Sequence, residues 1–249
     1  MGMYEQFRLD GKVAVVTGGG RGIGRGIALA FADCGADVVA VARRQEDVDA
    51  VAAEVQERGQ RGLGISADVL DFTAIPKVLD RVVEEFGHLD IMVNNAGGNL
   101  DRQMHALPDI SIEKFDEQLA LNMKTKFWGS QQAAKRMVPR GAGTILFTGA
   151  SASVKGYPHS SIFAMGKHGL RGLASALGRE LAPQGVHVCH FVIDGGVRNA
   201  AKGRVEGAGD PPDKYLDPDA IAETYMHVVK QDRSAWTWDI ELRPFGEKY

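Results

Sequence analysis

The sequence predicts an α/β fold, a single-domain doubly wound parallel sheet with helices on both faces. Three observations predict it. A β-branched run, Lys12-Val13-Ala14-Val15-Val16-Thr17, leads into glycines at 18, 19, 20, 22, 24 and 26, and then into the amphipathic stretch 27–32 (IALAFA). Short Val/Ile-rich runs and helix-period segments then alternate along the chain, as in strands buried on both faces by βα crossovers. No linker-like or low-complexity segment divides the 249 residues, so one core is expected.

In order, 37–42 (DVVAVA) is a second strand and 45–58 a polar-faced helix. A third strand is expected at 62–67. The helix 72–86 carries Ile75, Val78, Leu79, Val82, Val83 and Phe86 at helical spacing. Then come a fourth strand at 89–94 (LDIMVN), one long helix at 112–137, a fifth strand at 144–148 (TILFT) and a helix at 161–181. A sixth strand at 186–192 (VHVCHFV), a helix at 218–230 and an edge strand at 237–242 complete the series. The interval 195–217 is rich in Gly, Pro and charge and long for a connection. Ligands of such sheets sit outside the carboxyl ends of the strands, so this interval is expected to be a mobile substrate lid.

The totals exclude several classes. An apolar fraction of 44 % supports a substantial core, and no apolar run is long enough for a membrane span. The opening MGMYEQFRLDG carries charge and no apolar core, so no signal peptide is expected. Cys34 and Cys189 lack metal-ligand spacing and read as free thiols of a reducing, cytoplasmic compartment. A net charge of −3 gives no nucleic-acid footprint.

The strand, glycine turn and helix at 12–32 form a cradle for phosphate. Missing side chains let the backbone approach a pyrophosphate, and the first helical turn aims free N–H groups at it. Gly18, Arg21, Gly22, Ile23 and Gly24 are its candidate positions. About 20 residues beyond such glycines, an acid would hold the ribose hydroxyls of NAD, whereas a base would accommodate the 2′-phosphate of NADP. Here stand Arg43 and Arg44, with no acid before Glu46. Guanidinium forks match phosphate oxygens, so NADP(H) is favoured, with NAD(H) the alternative.

The spacing Thr17-Gly18-x-x-x-Gly22-x-Gly24, together with Asn94-Asn95-Ala96-Gly97 after the fourth strand, resembles the short-chain dehydrogenase/reductase family. The resemblance runs from about Arg8 to the last strand and implies a Rossmann fold and an oxidoreductase. It implies that Asn95, Ala96 and Gly97 line the coenzyme, that Asp68 and Val69 meet the adenine, and that Asn122 holds a catalytic water. It further implies that Lys167 grips the nicotinamide ribose and that the backbone of Val197 meets the carboxamide. Family members pair through two long helices, here 112–137 and 161–181, so a homodimer or homotetramer is implied.

The family's chemistry rests on Ser, Tyr and Lys, the tyrosine one helical turn before the lysine. Lys167 keeps its place, but Phe163 stands at the tyrosine position and Ala150 at the serine position. A phenyl ring has no proton to give. Ser151, one residue along, and Tyr157, in Lys155-Gly156-Tyr157-Pro158, are candidate substitutes, although Tyr157 reads first as a residue packing over the substrate. Asp194, in Ile193-Asp194-Gly195-Gly196-Val197, reads as a turn residue or a surrogate acid/base. Trp236 and Trp238 read as core or interface residues. Arg198, Lys202 and Arg204 of the lid could greet an anionic substrate, although Glu206, Asp210 and Asp213 make a solvated loop equally consistent.

Two functions follow. One is hydride transfer to or from a carbonyl/alcohol small molecule with a non-standard proton donor. Conjugate reduction of an enoyl or dienoyl thioester is a variant of it, since Asn94–Asn99 resembles some dienoyl reductases. The other is a coenzyme-binding protein of little activity, acting as sensor, scaffold or partner subunit.

Overall fold

The computed structural model describes residues 8–98, 106–200 and 203–246. Asn99 and Lys202 lie outside the described residues. Seven strands form one parallel sheet: β1 (Val13–Thr17), β2 (Asp37–Ala42), β3 (Gly62–Ser66), β4 (Ile91–Asn94), β5 (Gly143–Thr148), β6 (Val186–Ile193) and β7 (Asp239–Leu242). The helices are α1 (Gly22–Asp33), α2 (Gln45–Glu57), α3 (Ala74–Phe86), α4 (Ile112–Leu119), α5 (Thr125–Met137), α6 (Ser161–Leu181) and α7 (Pro218–Val229).

β1 is buried from end to end because its side chains feed two cores. Ala14 and Val16 point to one face, with Ile27 and Phe31 of α1, Phe191 of β6, and Ile221 and Tyr225 of α7. Val13 and Val15 point to the other, with Leu79 of α3, Met92 of β4, Phe147 of β5 and Leu170 of α6. Strand alternation produces this division. Each fully buried large side chain contributes about 1.5–3 kcal/mol. On the first face the rings of Phe191 and Tyr225 stack with centroids 3.6 Å apart.

The caps follow from local chemistry. Ser111 Oγ accepts the Lys114 N–H to start α4, and Asp217, followed by Pro218, accepts the Asp219 N–H to start α7. Gly87 ends α3 in the left-handed region, at φ +88°.

The strand order β3-β2-β1-β4-β5-β6-β7 reverses between β1 and β4. The loops leaving these two strands therefore face one another across a crevice, where such sheets bind ligands.

Most expected elements are present, with ends moved by a few residues. One is corrected in kind. The segment 112–137 is not a single α-helix: Ala120–Lys124, between α4 and α5, is a π-helical turn. Beside it, α6 approaches so closely that a Cβ on Gly166 would lie 3.1 Å from Asn122 Cβ. A π turn inserts one residue into the helical ladder, and here the insertion surrounds Asn122, which is fully buried.

The interval 195–217 is tied down where it is described. Val197 bridges Leu216, and Arg198 pairs with Glu206 and Asp217. The Arg198 cation is thus already engaged.

Candidate active site

Thr17 organises the crevice. Its Oγ1 donates to Val93 O at 3.0 Å and accepts the N–H groups of Asn95 and Ala96 at 3.0 and 3.2 Å. Asn95 Nδ2 returns to Thr17 O at 3.0 Å and Gly18 O at 3.3 Å. The turn after β1 is thereby stitched to the turn after β4. Gly18 has φ +67°, which a side chain would oppose. A Cβ on Gly24 would run into the Gly18 carbonyl and stand 2.7 Å from Asn95 Nδ2. At the head of α1, Arg21 occupies the N-cap position with extended backbone and no side-chain cap. The first N–H groups of α1, on Gly22, Ile23 and Gly24, are left to an anion, while Ile23 packs on the core. A coenzyme pyrophosphate fits this cradle.

The arginines separate. Arg44 is the N-cap residue of α2 and pairs with Asp47 at 2.6 Å, so it serves the helix start. Arg21 and Arg43 are exposed and have no ion pair among the described residues. Asp68 lies past the end of β3 and accepts the Leu70 N–H at 3.0 Å; Val69 packs against the sheet.

Asn122 sits across the crevice floor. Its Oδ1 accepts Gly98 N–H at 3.2 Å. Its Nδ2 faces Gly98 O at 2.9 Å, Gln118 Oε1 at 3.0 Å and Gln118 O at 3.1 Å. The carboxamide clamps the Asn95–Gly98 turn to the π segment, and its Oδ1 accepts one hydrogen bond there, which leaves a second lone pair.

Lys167, one turn after Phe163 on α6, is buried. Its Nζ donates to Thr148 O at 3.0 Å and lies 5.7 Å from the Phe163 ring centroid. Burial pushes its ammonium down to about 8. A second lysine, not foreseen from the sequence, is nearby. Lys126 of α5 is 2 % exposed, and its Nζ lies 3.6 Å from where a Gly97 Cβ would be. Burial, and after it the Lys167 charge, hold its amine well below the usual lysine range. Helix periodicity alone could not have found it, since a lysine reads as a surface residue.

The candidate proton donors fare differently. Ser151 is half-buried at the start of a short 3₁₀ turn, and no side-chain hydrogen bond joins it to Lys167. Tyr157 is 43 % exposed, and no hydrogen bond joins it to Lys167 among the described residues. Asp194 is buried and shared by Lys155 at 2.7 Å and Arg243 at 3.1 Å, so its carboxylate is engaged in two ion pairs. Trp236 stacks on His187 at 4.7 Å, while Trp238 is exposed.

Behind Ala150 runs a buried polar row also missed in the sequence. Ser153 Oγ accepts the Ala150 N–H at 3.2 Å and lies 3.3 Å from His190 Nε2. His190 Nδ1 is 2.8 Å from Asp239 Oδ1, and Arg171 holds the other carboxylate oxygen at 2.6 Å. The order Ser–His–Asp suggests a nucleophile, but Ser153 and His190 are both fully buried. The row fixes the loop after β5.

Known proteins share both pattern and fold. The family model described as short chain dehydrogenase matches residues 12–204. The chain is 38 % identical over 185 residues to 2-dehydro-3-deoxy-D-gluconate 5-dehydrogenase of Escherichia coli, covering 73 % of this chain and 70 % of that one. It is 30 % identical over 239 residues to sepiapterin reductase of Chlorobaculum tepidum, covering 93 % and 96 % respectively. Among solved structures, an alcohol dehydrogenase from the archaeon Thermococcus sibiricus, complexed with 5-hydroxy-NADP, superposes with a TM-score of 0.84 at 28 % identity, over 96 % of this chain and 98 % of that one. With the sheet order, the glycine turn and the lysine of α6 all in place, the chain belongs to the short chain dehydrogenase family.

Proposed function

We propose that the protein is an NADP(H)-preferring oxidoreductase that moves a hydride between the coenzyme and a carbonyl or alcohol carbon of a small molecule. The observation that carries this reading is the uncapped start of α1, with Gly18 and Gly24 cleared of side chains, on the same crevice as buried Lys167. Relatives named as dehydrogenases and reductases support it.

The coenzyme supplies or takes the hydride when bound. Gly18, Gly22, Ile23 and Gly24 hold its pyrophosphate, Asp68 and Val69 border the adenine, and Asn95, Ala96 and Gly97 line its middle. Lys167 and the Val197 backbone serve the nicotinamide end. Arg21 and Arg43 grip the 2′-phosphate, being the two cations there without an ion pair among the described residues. Lys167 carries the mobile proton, a role supported by its place one turn after position 163 and by the burial that lowers its ammonium from the usual lysine range. The 195–217 segment covers the substrate. Two copies pair through α4–α5 and α6, where Met123, Phe127, Trp128 and Leu173 line an apolar groove of about 370 Å³.

Titration with NADPH and NADH tests the reading. Arg43→Asp should weaken NADPH binding by one to two orders of magnitude, roughly the 1.5–3 kcal/mol of a charge-assisted hydrogen bond, and leave NADH binding intact. Failure of the folded protein to take up either coenzyme at millimolar concentration would sink it.

One observation favours a second reading, a coenzyme-binding protein with little chemistry. The Phe163 ring, which has no proton to give, lies 5.7 Å from Lys167 Nζ. Phe163→Tyr with Ala150→Ser separates the two, because gain of ketone reduction would mean that the rest of the site is intact.

A further inference from the structure

Lys126 Nζ has two acceptors, Leu121 O at 3.2 Å and Thr125 Oγ1 at 3.3 Å. The Thr125 hydroxyl spends its own proton on Leu121 O, at 2.7 Å. An ammonium has three N–H groups and no lone pair, whereas a neutral amine has two N–H groups and one lone pair. Two protein acceptors match the two N–H groups of the neutral form, whereas the charged form needs a third acceptor beyond these.

The surroundings agree. Its own helix and the π turn present the Leu121 carbonyl and Thr125. The turn after β4 presents Gly97, where a Cβ would lie 3.6 Å from Nζ. From α6 comes Lys167, a cation within electrostatic reach. No carboxylate pairs with Lys126 among the described residues.

We propose that Lys126 is kept as a neutral amine and receives, through Lys167, the hydroxyl proton that a tyrosinate takes in the family pattern. The proposal rests on the oxidoreductase reading. In alcohol oxidation the C–H bond breaks, and its electron pair leaves with the hydride to the oxidised coenzyme. The O–H bond breaks, its electron pair stays on oxygen, and a lone pair completes the C=O bond. The released proton goes to Lys167 as that ammonium passes one of its own, by way of an intervening water, to the lone pair of Lys126. Lys126 ends as an ammonium, and carbonyl reduction reverses each step. Such a site needs no acid at position 163. Lys126 acts only through Lys167, which is nearer the chemistry.

The test is a titration of lysine Nζ resonances in uniformly 15N-labelled, full-length protein without coenzyme. The Lys126 signal is assigned by its loss in Lys126→Met and, should that variant misfold, in Lys126→Gln. The expected result is a neutral-amine shift at pH 7 that turns to the ammonium value only on acidification. An ammonium shift at pH 7 overturns the proposal whatever the activity. Kinetics supply a second arm. Lys126→Met should lower kcat for alcohol oxidation about a hundredfold and erase the acid limb of the pH profile, while coenzyme Kd stays within about twofold. A pH profile unchanged in that variant also overturns it. Absence of coenzyme binding by the wild type would instead defeat the oxidoreductase reading, and the resonance titration would still report on Lys126.

Discussion

Lys167 Nζ donates to the Thr148 carbonyl at 3.0 Å, and that oxygen is its one hydrogen-bond acceptor among the described residues. A buried ammonium with a single acceptor is held at a cost to stability, which is why burial lowers it from 10.5 to about 8. The folded state therefore binds this proton more weakly than the unfolded chain. The penalty is full below about 8, fades as pH rises toward 10.5, and then vanishes. At 1.36 kcal/mol per unit it amounts to roughly 3 kcal/mol. Lys167→Met without coenzyme should be more stable than wild type at pH 7, with a gap that closes between pH 8 and 10.5. Urea unfolding at three pH values checks this, and a gap independent of pH would contradict it.

Gly24→Ala should disable coenzyme binding and also weaken the fold. The new methyl meets the Gly18 carbonyl and Asn95 Nδ2, both part of the Thr17 hub, so it cannot be absorbed by moving one flexible side chain. Overpacking of this kind costs about 1–3 kcal/mol. Calorimetric titration with NADPH and a thermal melt read the two effects separately. Gly22→Ala is the contrast: a Cβ there meets nothing within 4 Å, and its penalty should come from the left-handed backbone alone, at φ +56°.

How much of this could be read in the sequence depended on whether each feature is local. Val13–Thr17 declared a buried strand because a continuous β-branched run has few other uses. The glycine turn declared its role because its spacing is contiguous. The π turn at Ala120–Lys124 was illegible, since its residues fit an ordinary helix and the close approach of Gly166 comes from α6. Lys126 was hidden because its burial depends on the crevice closing over it. Ser153, His190 and Asp239 sit on three separate elements, so only the folded sheet brings them together. Arg43 and Arg44 looked equivalent until Asp47 engaged one of them.

Asn122→Ala should destabilise the protein by about 1–3 kcal/mol, the cost of leaving buried polar groups unmet. The groups concerned are the Gly98 N–H and carbonyl, which the carboxamide satisfies from both sides. The loss should be concentrated in the Asn95–Gly98 turn. Hydrogen exchange at the Gly98 amide should accelerate in the variant while amides of β1 keep their protection. Uniform acceleration would mean that Asn122 supports the whole fold and not this turn.

The row from Ser153 to Asp239 makes a final prediction, about acid. His190 is fully buried, and burial, opposed by the Asp239 carboxylate, lowers its pKa below the usual 6.5. The neutral ring donates from Nδ1 to Asp239 and accepts the Ser153 hydroxyl at Nε2, the tautomer that satisfies every neighbour. The unfolded chain binds a proton at this histidine more readily than the folded one. Stability from this group is therefore complete above about 6.5 and is lost as pH falls through the lower folded value. His190→Gln should start less stable, because amide geometry cannot bridge both partners. Its stability should nevertheless decline less between pH 7 and 5 than that of wild type, which makes the two curves converge. His187, also lowered by burial, is unchanged in both proteins and cancels in the difference. Parallel curves would mean that His190 does not titrate in this range and that the polar row is insensitive to acid.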